Sequence, residues 1–422
     1  MINKDYKNLQ FCRICGGPFD SKSLKLVDTP LANELYQTKS ASLEADKFPL
    51  ELVICSSCFH VQLRDIVSPE RMFSNYVYRS GTSSFFRNHF SNLALDVSKR
   101  VPQGSLVVEV GSNDGFLLGE LNKVGFKAIG IEPSDKLATL SRSLGIKTKT
   151  GYLSAEVVAD ILEESGEAAV VIGNNVFAHI DDLLQAFKLV HELLKMNGIF
   201  IFEVADFARL VQKGLFDTVY HEHMSYHTVK GLLRLAELSN FIIEEVIEIE
   251  PHGGSLRFLL RKGGKESQVG LSVQKRITLE EERGLDKASV FDQLRQIIET
   301  KKIELGETIE NIILENRLIG YGAPAKLVTF CYQMEIELET LSYVIDDNEF
   351  KQNSFIPGLG FEVVSPHEIQ HLIATEWSNF PLAFLVFPWN LNTEILKKLS
   401  DWAPVGSSVI TAFPKVERNK LI

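Results

Sequence analysis

The chain has 422 residues, of which 45% are hydrophobic and 23% charged, a composition typical of globular proteins. This length exceeds what one hydrophobic core usually organises, so two or three domains are expected. The net charge of −11 argues against a nucleic-acid-binding surface, which needs clustered basic residues. No run approaches the roughly 18 apolar residues of a membrane helix, and the N-terminus lacks the apolar core of a signal peptide. We therefore expect a cytoplasmic protein without a membrane segment.

Four of the five cysteines form two C-x-x-C pairs, with Cys12 and Cys15 in "CRIC" and Cys55 and Cys58 in "CSSC". In a reducing compartment such pairs indicate metal ligation rather than disulfides. Four thiolates suit tetrahedral zinc and leave no open coordination position, so the predicted ion is structural. The sequence therefore predicts a zinc-binding module over residues 1–70, with redox dithiols or buried free cysteines as the alternative.

From about residue 85 the sequence alternates apolar strands with helices, which predicts a parallel, doubly wound sheet. Two later runs, "FIIEEVIEIE" and "GSLRFLLRK", are expected to form an antiparallel hairpin at one edge of that sheet. The polar stretch from Lys262 to about Lys287 predicts a linker. A long amphipathic helix and a second strand–glycine turn–helix unit, "RLIGYGAPAKLVTFCYQM", then predict a second Rossmann-like α/β domain.

The first glycine turn, "EVGSNDG", follows an apolar strand predicted over Ser105–Val110 and precedes a helix. Gly111 permits a tight turn, and the N-terminus of the helix can face an anionic or polar ligand. Glu132 ends the next strand, 21 residues after Gly111, where an acid can accept hydrogen bonds from both ribose hydroxyls. Asn113 replaces the middle glycine of the dinucleotide fingerprint, which disfavours close approach of a pyrophosphate.

These features resemble class I methyltransferases, which bind S-adenosylmethionine (SAM). NAD is the runner-up ligand, and a purely structural turn is the alternative without a ligand. The predicted cofactor-binding residues are Glu109, Gly111, Ser112, Asn113, Asp114, Glu132, Ser134 and Asn175.

A third feature is the segment "DTVYHEHMSYHT", residues 217–228, which holds three of the ten histidines. An extended segment would place Tyr220 and Glu222 on the face opposite His223, whereas a helical segment would bring Tyr220 close to His223. Histidine titrates near neutral pH, and carboxylates or phenols can fix its tautomer. The segment is therefore predicted to carry a general base, with a second metal site or a solvated polar loop as alternatives.

The full set of motifs resembles the nucleotide-sugar C-methyltransferases, which build branched deoxysugars. The matching motifs, in chain order, are "CRICGG", "CSSC", "YVYRSGTS", "EVGSNDGFLL", "NNVFAHI", "FDTVYHEHMSYHT", "PHGGSLR", "GYGAPAK" and "FPWN". The resemblance implies an α/β protein with a zinc-binding module at 1–70, a class I (Rossmann-like), SAM-dependent methyltransferase domain at 71–265, and a C-terminal Rossmann-like domain at 288–422 involved in nucleotide-sugar binding.

The implied reaction adds a methyl group to carbon 3 of a nucleotide-linked 4-keto-6-deoxyhexose through an enolate that a base generates. The implied cofactors are SAM and structural zinc, and the implied partner is the keto-sugar nucleotide, with neither nucleic acid nor membrane. A monomer is expected. An NAD-dependent oxidoreductase of nucleotide sugars and a non-enzymatic, zinc-dependent binding protein are the alternatives.

The resemblance also assigns roles within the site. His223 is the predicted base, and Tyr220 and Glu222 orient it or contact the sugar. The predicted catalytic set is His223, Tyr220, Glu222, His179 and Tyr76. The predicted substrate-binding set is Tyr76, Tyr78, Ser255, Arg257 and Lys326. The alternatives are an aromatic packing strip for the two tyrosines from "YVYRS" and a vestigial role for the second glycine turn. The remaining aromatic and histidine residues of 217–228 are expected only to shape the segment.

Overall fold

Short strands dominate the N-terminal part of the chain. The computed structural model describes residues 5–72, 84–263, 269–377 and 380–421. The N-terminal module, residues 5–72, contains β1 (Tyr6–Asn8), β2 (Phe19–Lys25), α1 (Lys39–Leu43), β3 (Glu51–Cys55), β4 (Val61–Leu63), β5 (Asp65–Val67) and α2 (Pro69–Met72). Strands β2, β3 and β4 are antiparallel neighbours, and β1 pairs with β5.

The central domain, residues 84–263, alternates strands and helices as predicted. Its elements are α3 (Ser84–Arg100), β6 (Leu106–Val110), α4 (Phe116–Lys123), β7 (Lys127–Glu132), α5 (Asp135–Ser143), β8 (Lys147–Thr150), α6 (Ala155–Ser165), β9 (Ala168–Asn174), α7 (Leu183–Leu193), β10 (Leu194–Ala205), α8 (Phe207–Lys213), β11 (Ser225–Tyr226), α9 (Val229–Leu238), β12 (Phe241–Ile249) and β13 (Ser255–Lys262).

Seven of these strands form one sheet in the order β12–β13–β10–β9–β6–β7–β8. The five strands from β10 to β8 are parallel, whereas β13 runs antiparallel to both β10 and β12. Successive residues Val107 and Val108 face two different hydrophobic clusters, because helices cover both faces of a parallel sheet. The predicted doubly wound sheet and its antiparallel edge hairpin are both confirmed.

The C-terminal part of the chain contains a second seven-stranded sheet. Its elements are α10 (Leu271–Glu282), α11 (Val290–Ile313), β14 (Arg317–Tyr321), α12 (Lys326–Met334), β15 (Tyr343–Ile345), β16 (Ser354–Phe355), β17 (Glu362–Val364), α13 (Pro366–Thr375), β18 (Leu382–Val386), α14 (Asn392–Ser400), β19 (Ser408–Thr411) and β20 (Glu417–Lys420). The strand order is β16–β17–β15–β14–β18–β19–β20, with parallel inner strands and antiparallel outer ones. We call residues 290–421 the C-terminal domain.

The linker prediction for Lys262–Lys287 is wrong over much of its length, because α10 occupies its centre and packs against the central domain. Two of the charged residues that suggested a solvated linker are buried and pair with other groups of the protein. Arg276 is 6% exposed and lies 2.5 Å from the carboxylate of Asp206, while Glu280 accepts hydrogen bonds from the first backbone N–H groups of α9. Buried charges that are paired in this way are compatible with a packed helix.

Two features join the three parts of the chain. Strand β11 belongs to the central part of the sequence but not to the central sheet. It pairs antiparallel with β4, so that Ser225 lies opposite Gln62 of the N-terminal module. One hydrophobic cluster also runs through all three parts, from Leu52 through Phe216 to Phe330. Among the described residues, no helix is both long enough and apolar enough to cross a membrane.

Candidate active site

The four paired cysteines of the N-terminal module converge on one point. Their Sγ atoms all lie within 4.8 Å of one another, with Cys12 and Cys58 3.6 Å apart and Cys15 and Cys55 3.5 Å apart. A tetrahedral zinc ion with Zn–S bonds of about 2.3 Å places its sulfurs about 3.8 Å apart, close to these separations. Backbone N–H groups also point at the sulfurs, as in the pair Gly17 and Cys15 at 3.4 Å. The thiols therefore fit a structural zinc ion that has no open position.

The first glycine turn lies at the carboxyl end of the central sheet, between β6 and α4. Gly111 has a φ of 67°, and a Cβ atom there would lie 2.4 Å from the Val176 side chain, so only glycine fits. Asn113 also adopts a left-handed backbone, with a φ of 51°. Ser112 and Asp114 are buried within the same turn. The turn brings the predicted cofactor-binding residues of β6 and its loop together.

Two carboxylates flank this turn. Glu132 ends β7, and its two oxygens accept hydrogen bonds of 2.8 Å from the backbone N–H groups of Asn113 and Ser134. Glu109 is the penultimate residue of β6, and burial raises its pKa well above the ordinary value. Its Oε2 atom has no hydrogen-bond partner among the described residues. A polar ligand at the strand ends would supply that partner, so these residues fit a bound SAM molecule.

Asn175 follows β9 at the same edge of the sheet. It adopts a left-handed backbone with a φ of 57°, and its N–H donates to the Glu203 carbonyl at 2.8 Å. The structure therefore places all the predicted cofactor-binding residues along the ends of β6, β7 and β9, where open α/β sheets bind their ligands.

His223 has a defined tautomer. Its Nδ1 lies 2.9 Å from the Thr218 carbonyl oxygen, which can only accept, so Nδ1 carries the proton. In the neutral ring Nε2 is then the acceptor, and the Tyr220 hydroxyl donates to it at 2.8 Å. Burial, together with the smaller effect of the Lys326 charge, lowers the pKa of His223 to about 4, and the hydrogen bond to Thr218 opposes this shift. The ring is therefore neutral at neutral pH, and its Nε2 lone pair accepts the hydrogen bond of the Tyr220 hydroxyl.

Two more imidazoles lie close to this pair. The rings of His179 and His223 are 4.9 Å apart and meet edge to face. Burial lowers the pKa of His179 to about 3, and His223 and His252 contribute to the same shift. His252, in the turn between β12 and β13, also has its pKa lowered by burial, to about 4. The histidines thus come from three different connections, after β9, before β11 and between β12 and β13, and their mutual effects on pKa indicate that they share one region.

Glu222 points away from His223. Its carboxylate accepts a hydrogen bond of 2.5 Å from the Asn33 amide of the N-terminal module. Burial raises the pKa of Glu222 to about 7, and the charge of Lys351 in the C-terminal domain offsets part of that shift. Of the two residues predicted to orient His223, the structure brings only Tyr220 into contact with it.

Two other histidines of the segment hold the backbone in place. The Nε2 atom of His221 lies 3.3 and 3.2 Å from the carbonyls of Phe48 and Pro49 in the N-terminal module. The Nε2 atom of His227 lies 3.1 Å from the Phe177 carbonyl. Both rings are buried, so they join elements rather than face a ligand.

The residues predicted to bind the substrate do not all meet. Arg257 lies in β13, and its guanidinium contacts the Glu203 carboxylate at 2.7 Å. The Ser255 hydroxyl donates to the Pro251 carbonyl at 2.9 Å. Both side chains are therefore engaged within the central domain. Tyr76 and Tyr78 lie outside the described residues.

Lys326 begins α12 in the C-terminal domain, after the second glycine turn. Its ammonium lies 3.9 Å from the centre of the Trp389 ring and donates to the Asn390 amide at 3.1 Å. Burial lowers the pKa of Lys326 to about 8, against the opposing effect of Asp217. The charge of Lys326 also lowers the pKa of His223, so this predicted substrate-binding residue lies near enough to the candidate base to act on it electrostatically.

The second glycine turn is built like the first. Gly322 has a φ of 80°, and the N–H of Ala323 donates to the Asp346 carboxylate at 2.7 Å. Asp346 follows β15, just as Glu132 ends β7 and accepts from the turn after β6. Lys351 also donates to the Ala323 carbonyl at 2.7 Å, so the described polar contacts of this turn are internal.

Sequence reasoning missed a buried ionic group at the end of β10. The Glu203 carboxylate lies 2.7 Å from His89 Nε2 and 2.7 Å from the Arg257 guanidinium. Burial alone would raise the pKa of Glu203, but His89 and Arg257 hold it below the ordinary value. The signal in the sequence was an acid at the end of a predicted strand, in "IFEVAD". Also missed were Thr218, His252 and Arg13.

Comparison with known proteins finds a relative over most of the chain. Three family models match the chain in order: a zinc binding domain at residues 12–73, a methyltransferase domain at 85–246 and a C-methyltransferase C-terminal domain at 250–414. The C-methyltransferase NovU of Streptomyces niveus is 26% identical over 407 residues, covering 96% of this chain and 95% of NovU. These matches support the nucleotide-sugar C-methyltransferase family, which the sequence motifs resemble.

The matched domains and the cysteine cluster confirm the predicted SAM-dependent C-methyltransferase, with SAM and zinc as its cofactors. Solved structures similar to part of the chain include magnesium protoporphyrin IX methyltransferase from Synechocystis PCC 6803 with bound SAH. It is 14% identical with a TM-score of 0.34, covering 42% of this chain and 83% of the other. A SAM-dependent methyltransferase from Clostridium acetobutylicum is 15% identical with a TM-score of 0.35, covering 46% and 96%.

Proposed function

We propose that this enzyme methylates carbon 3 of a nucleotide-linked 4-keto-6-deoxyhexose. The observation that carries the proposal is the Tyr220–His223 pair, whose proton positions are fixed by the Thr218 carbonyl. The pair belongs to the loop region after β10, next to the loop that follows β9. A cytoplasmic location and a monomeric chain stay predictions.

The proposed reaction needs a base because a C–H bond next to a ketone is only weakly acidic. We propose a relay in which Tyr220 accepts the proton of carbon 3 while its phenolic proton moves to Nε2 of His223. The electron pair of the broken C–H bond becomes the enolate between carbons 3 and 4. His223 then carries a positive charge, which the Thr218 carbonyl stabilises through the Nδ1 proton. SAM, when bound, supplies the electrophilic methyl group that the enolate carbon takes up.

The enolate oxygen needs electrostatic stabilisation. The charge of Lys326 lowers the pKa of both His223 and His252, which indicates a positive potential in their region. The same potential favours an enolate over a neutral ketone, and such stabilisation is usually a large part of catalysis. His179, held neutral by burial, is a suitable hydrogen-bond donor to the same oxygen. We propose that Tyr76 and Tyr78 line the sugar pocket.

The nucleotide is proposed to reach the C-terminal domain. Lys326 lies at the start of a helix, where the backbone N–H groups and the ammonium both favour a phosphate oxygen. Arg257 is proposed to hold Glu203 and His89 in place rather than to contact the diphosphate, because its guanidinium is already paired. In the central domain, the proposed residues for SAM are Glu109, Gly111, Ser112, Asn113, Asp114, Glu132, Ser134 and Asn175.

The test is direct. The purified enzyme is incubated with SAM and either a dTDP- or a GDP-linked 4-keto-6-deoxyhexose, and the sugar is analysed by mass spectrometry and NMR. We expect the mass gain of one CH₂ unit, with the new methyl on carbon 3. A methyl at another position, or no gain with either nucleotide, would contradict the substrate proposal. Parallel calorimetry should show binding of SAM and none of NAD, because Asn113 replaces the glycine that allows a pyrophosphate to approach the turn closely.

A further inference from the structure

Arg13 lies between two cysteines of the zinc centre, yet its side chain reaches the central domain. One terminal nitrogen donates to the carbonyls of Ile180 and Asp181, at 3.0 and 2.7 Å. The other donates to the Met224 carbonyl and the Ser225 hydroxyl, both at 2.6 Å. The side chain is only 5% exposed. One guanidinium therefore connects two loops that are far apart in sequence.

These two loops carry the candidate catalytic histidines. His179 directly precedes the first carbonyl that Arg13 contacts, and His223 directly precedes Met224. The loops also contact each other, since the N–H of Met224 donates to the Ala178 carbonyl at 2.8 Å. A shift of either loop would change the 4.9 Å separation between the two imidazoles. Arg13 thus bridges the loops next to both rings.

The other end of the bridge is equally fixed. The backbone N–H of Arg13 donates to the side chain of Gln62 at 3.0 Å, and Gln62 lies opposite Ser225 in the β4–β11 pair. Cys12 and Cys15 flank Arg13 within a few bonds and converge on the metal centre. The backbone of Arg13 is therefore held in place in the N-terminal module, and its side chain contacts the two loops that carry His179 and His223.

We propose that Arg13 is a positioning residue for methyl transfer, which holds His179 and His223 in register with each other. The proposal rests on the proposed function insofar as these histidines form the catalytic site. Arginine suits the task because its planar fork offers several donors in fixed directions, whereas lysine is a point charge on a flexible stem. The four oxygen acceptors and the Asp181 carboxylate, 3.8 Å away, offset much of the cost of burying this charge, although the Nε atom has no partner among the described residues.

The experiment compares Arg13→Gln and Arg13→Lys with Arg64→Gln as the matched control. Arg64 also lies in the N-terminal module, between β4 and β5, but its side chain lies near Glu51 and the Phe19 ring. We expect Arg13→Gln to lower kcat about 100-fold, as small misplacements of catalytic groups can. We expect Arg13→Lys to recover about a tenth of the wild-type kcat, because lysine can reach only one loop. The KM for SAM should stay within about 2-fold of wild type, because the glycine turn is untouched.

A second readout does not depend on turnover. Amide hydrogen exchange should become faster in residues 176–182 and 220–228 of Arg13→Gln, but not in residues 110–116, and zinc content should match the wild type. The positioning role would be overturned if Arg13→Gln kept the kcat and the hydrogen-exchange rates of the wild type while His223→Gln was inactive. Loss of zinc or of a cooperative melting transition in both Arg13 variants would also overturn it, because Arg13 would then serve folding. If the wild type methylates no keto sugar, the proposed function fails, and the exchange data still decide whether Arg13 holds the loops.

Discussion

Replacing Tyr220 by phenylalanine tests the proposed relay at its central atom. The Tyr220 hydroxyl lies 2.8 Å from Nε2 of His223, and Thr218 fixes the proton on the opposite ring nitrogen. The variant keeps the imidazole lone pair and loses only the oxygen that we propose faces carbon 3. We expect Tyr220→Phe to lower kcat by about 100- to 1,000-fold, within the usual range of general acid–base effects.

The double variant sharpens this prediction. If Tyr220 and His223 act as one proton relay, Tyr220→Phe combined with His223→Gln should be no slower than the slower single variant. Residues that act as a unit are non-additive in this way. Two independent groups would instead give a double variant whose loss is the product of the two single losses.

The pH dependence follows from the same pair. His223 must be neutral to accept a proton, so activity is present above its pKa and is lost as pH falls through it. With a pKa of about 4, about 97% of the rings are neutral at about pH 5.5, against about 9% for an ordinary histidine. We therefore expect kcat/KM to stay flat down to about pH 5, in a protein that remains folded by circular dichroism.

The assay isolates proton removal from methyl transfer. The enzyme and the keto sugar are incubated in D₂O with S-adenosylhomocysteine instead of SAM, and deuterium entering carbon 3 is followed by NMR. Tyr152→Phe is the control, because Tyr152 is 58% exposed and far from the histidine segment in sequence. Wild-type deuterium exchange in Tyr220→Phe, with no exchange in His223→Gln, would refute the relay and leave His223 as the direct base.

Three further predictions address the cofactors and the C-terminal domain. Zinc removal by a chelator should abolish turnover and lower the melting temperature, because the thiolates anchor the N-terminal module. Glu132→Ala should raise the Kd for SAM at least about 10-fold by calorimetry, as expected when hydrogen bonds to a charged acceptor are lost, and Glu163→Ala should not. Lys326→Met should raise the KM for the sugar nucleotide at least about 10-fold. It should also move the acid limb of kcat/KM to higher pH, because the Lys326 charge lowers the pKa of His223.

Each of these predictions has an outcome that contradicts it. Full turnover by zinc-free enzyme would show that the metal is dispensable to the folded site. Unchanged SAM affinity in Glu132→Ala would remove that carboxylate from the cofactor site. An unchanged KM in Lys326→Met would exclude Lys326 as a diphosphate ligand, and the exposed Lys188→Met variant controls for the general loss of a positive charge.

Local periodicity predicted most of the fold because the central strands are almost wholly apolar. β9 reads "AAVVIGN" and is buried up to its last residue, so neither its type nor its place in a parallel sheet was ambiguous. The α10 helix was missed for the opposite reason. From the sequence alone, its charged residues predict a solvent-exposed segment. In the structure, Arg276 pairs with Asp206 and Glu280 accepts hydrogen bonds from α9. Pairing of buried charges depends on tertiary contacts that periodicity does not encode.

The candidate site was only partly predictable for a similar reason. The glycine turn and Glu132 occupy fixed places relative to their strands, so their spacing was informative. The helical alternative for residues 217–228 anticipated the Tyr220–His223 contact, but the segment is a tight turn in which the His223 N–H donates to the Tyr220 carbonyl, so the sequence left that contact undecided. Arg13 gave no signal beyond its place between two metal ligands, because its acceptors lie at least 167 residues away along the chain.

The polar density of residues 217–228 follows from a structural need as much as from catalysis. The segment crosses between all three parts of the chain, and backbone groups buried at such crossings need hydrogen-bond partners. His221 meets two carbonyls of the N-terminal module, Asp217 accepts from the Trp389 indole at 2.8 Å, and Thr329 donates to the Val219 carbonyl at 2.8 Å. A neutral imidazole can donate to a carbonyl without burying a charge, which explains why histidine recurs here.

The same crossings give the Tyr220–His223 pair its fixed geometry. The strand pairing of Ser225 holds the segment on one side of the pair, and the Asp217 contact holds it on the other. Catalytic groups placed on a free loop would lose this register, whereas here both ends of the loop are tied to different domains. The N-terminal and C-terminal parts therefore shape the site through the backbone of the central domain, even where they contribute no reacting atom.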